Sequence, residues 1–105
     1  MKRGEVWWAE LPPPSGRRPV VLLSRDSAYR VRTAVTAGMI TRTVRNIPVE
    51  VPIGKEDGMP QNCVVNLDEI ITVSKTRFIE RITTLSHEKM TSVVKAVSFA
   101  LDLRI

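Results

Sequence analysis

The residues of this sequence best suited to chemistry are arginines gathered in one segment. Between residues 17 and 45 there are seven arginines and a single acidic residue, Asp26, which gives the segment a net charge of +6. A guanidinium group is planar and permanently charged, so it binds phosphate through paired hydrogen bonds and stacks on bases. The segment favours a nucleic acid or an acidic polypeptide as partner, with a solvated basic face as the alternative. The seven are Arg17, Arg18, Arg25, Arg30, Arg32, Arg42 and Arg45.

The other reactive residues exclude several kinds of site. The sequence has no glycine-rich phosphate loop, and one histidine with one cysteine cannot form a usual zinc site or a two-histidine ribonuclease. Asp68 and Glu69 are adjacent, so on a strand they point to opposite faces and do not share a metal. We expect His87 to be exposed and Cys63 to be a buried structural thiol. No metal or cofactor is expected, and catalysis would depend on arginine, hydroxyl groups or a carboxylate.

Length and composition predict one small globular domain over residues 1–105, with 43% hydrophobic and 26% charged residues. No apolar run approaches the roughly 18 residues of a membrane span. The N-terminal "MKRGEVWWAE" lacks the apolar stretch of a signal peptide. The single cysteine forms no internal disulfide, which fits a reducing compartment. We therefore expect a cytoplasmic protein.

The segments around the first arginines predict two strands joined by a turn. "GEVWWAEL" predicts a strand with Val6, Trp8 and Glu10 on one face and Trp7 and Ala9 on the other. "PPPSG" ends this strand, because prolines cannot continue a ladder of hydrogen bonds. The continuous apolar run in "RPVVLLS" predicts a buried central strand, and "RDSAYR" predicts a turn or a helical turn.

The middle of the chain predicts further strands. "RTAVTAGMITR" predicts a third strand in which Gly38 marks a bulge or a close approach. The proline-bounded "IPVEVPI" predicts an edge strand, and "GKEDGMPQN" predicts a loop. "CVVNLDEIITVSK" predicts one strand or two, with a bend at "NLDE", whereas "RFIERITTL" fits a strand or a helical turn.

The end of the chain predicts a helix. Ser86 is a suitable N-cap, Glu88 places negative charge in the first turn, and Leu85 and Met90 occupy the positions of a hydrophobic staple. An apolar stripe with helical spacing predicts a face in the core or in an interface, formed by Met90, Val93, Val94, Val97 and Leu101. Strands followed by one packed helix predict an α+β fold, mainly β, built as a small antiparallel barrel.

Several of these segments, in this order, resemble the MazF/PemK family of toxin endoribonucleases. The resemblance rests on "RGEVWWAEL", "GRRPVVLLS", "TAGMITR", "NCVVNLDEIITVSK" and the terminal helix, and it covers nearly the whole chain. It implies an SH3-like barrel of the CcdB/PemK type that forms two-fold dimers. It also implies a toxin that cleaves single-stranded RNA, such as messenger RNA, sequence-selectively and without metal, and that is neutralised by a cognate antitoxin.

The resemblance assigns roles to individual residues. The catalytic arginine of the family, directly before the proline of the second strand, falls on Arg18, and its catalytic threonine falls on Thr41. In such enzymes the 2′-hydroxyl attacks the adjacent phosphate, and a fixed arginine stabilises the negative charge of the transition state. Without the family, Arg18 would be an ordinary turn residue and Thr41 an ordinary strand residue. The further expected RNA contacts are Arg17, Arg25, Arg42, Arg45 and Trp8.

One departure and two alternatives accompany the resemblance. Family members commonly have a longer loop between the first two strands, whereas this chain has only "PPPSG", so the lid and the sequence preference of the family need not carry over. The first alternative is a non-catalytic toxin of the same fold, like the gyrase-poisoning CcdB. CcdB depends on a C-terminal Trp-Gly-Ile, whereas this chain ends in "ALDLRI". The second alternative is a small RNA-binding barrel without activity.

Overall fold

The computed structural model describes residues 1–104 and is built mainly from strands. The strands are β1 (Glu5–Glu10), β2 (Arg17–Leu22), β3 (Ala34–Thr41), β4 (Glu50–Ile53), β5 (Cys63–Ser74) and β6 (Phe78–Thr84). The helices are α1 (Ala28–Val31) and α2 (His87–Ala100), and two 3₁₀ turns cover Lys55–Asp57 and Lys75–Arg77. The ambiguous segment "RFIERITTL" is therefore a strand, and the segment after β4 is a loop with one 3₁₀ turn, as predicted.

All six strands belong to one antiparallel sheet with the order β4-β5-β3-β2-β1-β6. The sheet curls into a half-barrel, and α2 packs against β4 and β5. The predicted α+β, mainly β fold with a C-terminal helix is confirmed. β2 lies between β1 and β3, and its Val20, Val21 and Leu22 are fully buried, as its continuous apolar run predicted. β4 lies at an edge, which suits its prolines.

Both faces of β1 are covered by other parts of the fold. Side chains that alternate along the strand therefore point into two different hydrophobic clusters, and not into one core and the solvent. Val6 packs in the cluster that includes residues of α2, whereas Ala9 packs in a second cluster with Val20. Both side chains have no exposed surface. The pairing of β1 with β6 shifts register twice, between Val6 and Trp7 and between Trp8 and Ala9, which bends the strand around both clusters.

The centre of the sheet carries the predicted bend. Opposite β3, the partner of Gly38 is Ile70, but the partner of Met39 is Asn66, so β5 bulges at "NLDE". A Cβ atom built on Gly38 would lie 3.2 Å from Leu67 Cδ1 and 3.3 Å from Val21 Cγ1. Gly38 thus marks both the irregularity and the close approach that the sequence predicted.

Helix α2 begins as predicted, but its buried face is narrower than the predicted stripe. Ser86 is the N-cap, and its hydroxyl accepts a hydrogen bond of 3.1 Å from the Lys89 amide. The fully buried side of the helix consists of Val93 and Ala96. Val94 and Leu101, which were expected in the core or in an interface, are exposed in the single chain, so they are not core residues and the interface stays a prediction. Among residues 1–104, no helix is long and apolar enough to cross a membrane.

A polar junction ties the loop after β4 to two other elements. The Thr83 hydroxyl on β6 donates to the carbonyl of Asp57 at 2.9 Å. On the helix, Lys89 Nζ lies 3.8 Å from Asp57 Oδ2 and donates to the Pro52 carbonyl at 2.7 Å. The Asp57 side chain also accepts from the Gly54 amide at 2.9 Å, and it is almost completely buried. The loop over residues 54–62 is therefore held in place from β6 and from α2.

Candidate active site

The antiparallel order brings several chain segments to the same end of the sheet. β2 and β5 begin at this end of the sheet, and β1 and β3 end there. A cleft of about 410 Å³ opens at this end. Its lining consists of Trp8, Arg17, Arg18, Pro19, Ile40, Thr41, Arg42, Thr43, Met59, Pro60, Gln61 and Cys63.

Arg18 is held on a rigid strand at the edge of the core. It lies opposite Ala9 in the β1–β2 pairing, and the next residue, Pro19, fixes the backbone before the buried part of the strand begins. Its side chain is half-buried. The pairing of β2 with β3 ends at Val20 and Met39, and beyond it Arg18 on β2 and Thr41 on β3 both line the cleft. The two residues that the family resemblance singled out therefore lie on adjacent strands and in the same cleft.

Thr41 is oriented by a short local hydrogen bond. Its Oγ1 accepts from the Thr43 amide at 3.2 Å, and the side chain is half-buried in the cleft. This bond occupies a lone pair of the hydroxyl and leaves its O–H available to another acceptor. Thr41 can therefore donate a hydrogen bond to an anionic oxygen placed next to Arg18.

The two tryptophans of β1 have different surroundings. Trp7 packs edge-to-face on Phe78 with ring centroids 6.2 Å apart, and its indole N–H donates to Glu5 at 2.9 Å. Trp8 lines the cleft, where the guanidinium carbon of Arg17 lies 5.6 Å from the ring centroid. Arg17 also reaches within 4.0 Å of Glu80 on the neighbouring strand β6. Trp8 therefore presents an aromatic surface to the cleft, whereas Trp7 is a packing residue.

The structure gathers only some of the arginines that the sequence suggested. Arg17, Arg18 and Arg42 line the cleft. Arg25 is exposed beyond the far end of β2, away from the cleft. Arg45 is engaged elsewhere, because its guanidinium lies 3.9 Å from Glu50 and its backbone amide donates to the same carboxylate at 2.9 Å. The expected RNA contacts of Arg25 and Arg45 therefore lie outside this cleft and stay predictions.

The sequence did not single out one wall of the cleft. Met59, Pro60 and Gln61 line it, yet the sequence indicated only a loop over "GKEDGMPQN". Thr43 was missed as well. Proximity in the fold places these residues beside Thr41, since Cys63 begins the strand that pairs with β3. The residue types in the loop itself do not indicate that it lies close to Thr41.

The charge lining the cleft is positive. Among the described residues, no carboxylate and no histidine line it, and no group of three potential metal-ligating side chains occurs. Cys63 is buried at its base, where burial and the nearby charge of Asp57 raise the pKa of the thiol. A neutral thiol is a weak nucleophile, which agrees with the structural role predicted for Cys63.

The hairpin loop beside the cleft is short, as the sequence indicated. The Leu11 amide donates to the Gly16 carbonyl at 2.9 Å and closes the loop. Gly16 has a φ of 66°, which glycine adopts without steric cost. Between these two residues only the three prolines and Ser15 remain, so the loop has little chain with which to cover the cleft.

Comparisons with known proteins agree with this fold. Residues 2–101 match the model of a family described as PemK-like, MazF-like toxin of type II toxin-antitoxin system. The probable endoribonuclease MazF5 of Mycobacterium tuberculosis is 40% identical over 102 residues, which cover 95% of this chain and 92% of that protein. The endoribonuclease MazF of Staphylococcus saprophyticus is 33% identical over 111 residues, covering 98% of this chain and 92% of that protein.

Solved structures show the same similarity. The Mycobacterium tuberculosis toxin MazF-mt6 has a TM-score of 0.88 at 30% identity, covering 96% of this chain and 99% of that chain. A mycobacterial endoribonuclease in complex with its cognate antitoxin has a TM-score of 0.89 at 28% identity, covering 100% of this chain and 98% of that chain.

The curled sheet, the terminal helix and the arginine-lined cleft at one end of the sheet define a small, mainly β toxin fold. The chain belongs to the PemK-like, MazF-like toxin family of type II toxin–antitoxin systems.

Proposed function

We propose that this protein is a toxin endoribonuclease that cleaves single-stranded RNA, sequence-selectively and without a metal ion. The observation that carries the proposal is that Arg18 on β2 and Thr41 on the adjacent β3 line one cleft, which Arg17 and Arg42 also line. Relatives that are 33% and 40% identical over most of this chain are named endoribonucleases, which favours the enzyme over a non-catalytic toxin of the same fold.

The reaction consists of one displacement at phosphorus. The 2′-oxygen of a ribose forms a bond to the adjacent phosphorus, and the bond from phosphorus to the 5′-oxygen of the next nucleotide breaks. The proton of the 2′-hydroxyl passes to water or to the phosphate, and the departing 5′-oxygen takes up a proton. The products are a 2′,3′-cyclic phosphate and a 5′-hydroxyl.

Arg18 stabilises the charge that develops during this displacement. The transition state carries extra negative charge on the phosphoryl oxygens, and the position of Arg18 in the cleft, half-buried at the start of β2, supports this role. Arg18 is not the general base, because a guanidinium stays protonated at neutral pH. It can donate a proton to the leaving oxygen. Thr41 donates its O–H to a non-bridging oxygen, oriented by the bond from the Thr43 amide.

The substrate is unpaired RNA because only unpaired bases expose their faces and edges to a protein. Trp8 offers a ring on which one base stacks, which is worth about 1–3 kcal/mol. Arg17 and Arg42 neutralise flanking phosphates at the rim of the cleft, where both are exposed. Messenger RNA is the expected physiological target.

The partners follow from the same cleft. A cognate antitoxin neutralises the protein by placing an acidic, extended segment in the cleft in place of RNA, as the positive lining favours. The active form is a homodimer, and exposed apolar residues on α2 and at its C-cap, such as Val94 and Leu101, offer surface for further packing. The protein acts in the cytoplasm, where messenger RNA is available and a free cysteine stays reduced.

Cleavage of a long single-stranded RNA in the presence of a chelator tests the proposal. We expect cuts at a short recurring sequence that leave cyclic-phosphate and 5′-hydroxyl ends. Arg18→Ala and Thr41→Val should each lower the cleavage rate by about 100-fold or more, because each removes a group that stabilises the transition state.

Arg30→Ala is the matched control, since Arg30 is an exposed arginine on α1, at the opposite end of β2. This variant should cleave like the wild type. RNA that stays intact with the wild type, or cleavage that survives Arg18→Ala, would contradict the proposed function. Thermal unfolding of each variant establishes that it is folded.

A further inference from the structure

Gln61 is an exposed residue of the cleft with a chemistry that its neighbours lack. Among the described residues that line the cleft, it contributes the one carboxamide side chain. An amide has a donor and an acceptor at a fixed separation, so it can make two hydrogen bonds to the edge of one base. Arginine side chains only donate, and a threonine hydroxyl makes contact at a single point.

The order of the strands places Gln61 and Trp8 on opposite sides of the catalytic pair. Across this end of the sheet, β5 is followed by β3, β2 and β1 at intervals of about 4.8 Å. Gln61 precedes β5 by two residues, Thr41 ends β3, Arg18 lies at the start of β2, and Trp8 lies on β1. An RNA strand with its scissile phosphate between Arg18 and Thr41 therefore has Trp8 toward one neighbouring nucleotide and Gln61 toward the other.

The loop that carries Gln61 is fixed well enough to read a base. Asp57, four residues earlier, accepts a hydrogen bond from Thr83 and pairs with Lys89. The Met59 amide donates to the Gly54 carbonyl at 3.1 Å, and the Met59 side chain is buried. Two residues after Gln61, the chain enters β5 at the buried Cys63. An exposed amide between two buried anchors selects among bases more sharply than one on a loose loop, because less freedom is lost on binding.

We propose that Gln61 determines sequence specificity by binding the edge of an adenine next to the scissile phosphate. Its side-chain carbonyl accepts from the adenine N6 amino group, and its side-chain NH₂ donates to N7. Trp8 stacks the nucleotide on the other side and tolerates any base, because every base has an aromatic face. This inference rests on the proposed endoribonuclease activity and adds the residue that selects one position of the target.

The test is cleavage of an RNA pool randomised over several positions within an unstructured strand, followed by sequencing of the product ends. Wild-type protein should enrich adenine at one position beside the cut. Gln61→Ala should reduce that enrichment about tenfold or more, the scale of one bidentate contact, and leave the other positions unchanged. Gln61→Glu should abolish the adenine preference at that position, because a carboxylate accepts from N6 but repels the acceptor N7.

Asn62→Ala is the matched control, because Asn62 is the next exposed amide residue along the loop and does not line the cleft. Its cleavage profile should equal that of the wild type. Wild-type protein that cuts while Gln61→Ala retains the full profile would overturn the role of Gln61 and leave the proposed function standing. A uniform loss at all positions would also overturn it. Wild-type protein that does not cut would overturn the proposed function itself.

Discussion

Two adjacent arginines of the same strand have different surroundings. Arg18 is half-buried and lines the cleft together with Thr41, whereas the side chain of Arg17 is 52% exposed and lies over the ring of Trp8. Only a group held against the reacting phosphate can stabilise the transition state selectively. We therefore propose that Arg17 binds RNA and that Arg18 acts in the chemical step.

Substitution of Arg17 should separate these two roles. Arg17→Ala removes a phosphate contact that is equally strong in the ground state and in the transition state, so KM should rise several-fold while kcat stays within about twofold. Steady-state cleavage of a short fluorescent RNA measures both constants. A fall in kcat as large as that of Arg18→Ala, with KM unchanged, would place Arg17 in the chemical step.

The family pattern predicted roles for Arg18, which precedes a proline and a buried strand, and for Thr41, which ends the third strand. Both residues line the cleft, and their catalytic roles stay predictions. Gln61 was missed, because it lies in a loop without periodicity and reaches the cleft only through the pairing of β3 with β5. Arg25 and Arg45 show the reverse case, since charge alone placed them with residues from which the fold separates them.

Among the elements, β3 is closely packed around one residue without a side chain. The missing side chain of Gly38 leaves room for Val21 on one neighbouring strand and for Val65 and Leu67 on the other, each of which would lie closer to an added Cβ than ordinary van der Waals contact. The bulge of β5 begins at the same point. The end of β3 that carries Thr41 therefore depends on close packing around Gly38.

Adding a side chain at Gly38 should destabilise the fold. Gly38→Ala brings Cβ within 3.2–3.3 Å of three side chains, which is overpacking worth about 1–3 kcal/mol in the free energy of unfolding. Gly38→Val should cost more than Gly38→Ala, because it adds two further methyl groups to the same space. Urea denaturation followed by tryptophan fluorescence measures both. A Gly38→Val variant as stable as the wild type would show that β5 can shift at its bulge and make room for the added side chain.

The strands were predictable because each has a continuous or alternating apolar pattern bounded by proline or glycine. The faces of β1 and α2 were less predictable. The sequence shows which residues of a strand or helix are apolar. Whether one or both faces of that element are covered depends on how the whole sheet curls. Ala9 is fully buried against a second cluster, and Leu101 is exposed beyond the core, although both are apolar.

The charge of the whole molecule should govern how it binds RNA. The chain has a net charge of +5, and three arginines line the cleft. Binding of these arginines to phosphates releases counterions, so the logarithm of the affinity falls linearly with the logarithm of the salt concentration. For three phosphate contacts on a single strand, the slope is about −2, since each contact contributes about −0.7.

A salt titration with a 2′-deoxy analogue that cannot be cleaved should recover this slope. Arg42→Ala should make it shallower by about 0.7, because one phosphate contact is lost, and Arg30→Ala should leave it unchanged. Fluorescence anisotropy at several salt concentrations provides the measurement. An affinity that does not depend on salt would mean that uncharged contacts dominate binding.

The junction at Asp57 has a consequence for how such toxins diverge. The loop over residues 54–62 is anchored through Asp57 by Thr83 on β6 and by Lys89 on α2. The exposed Gln61 takes part in neither anchor, so its side chain can be exchanged while the loop keeps its position. On the proposed function, relatives that differ at this position would therefore cut different RNA sequences with the same catalytic pair.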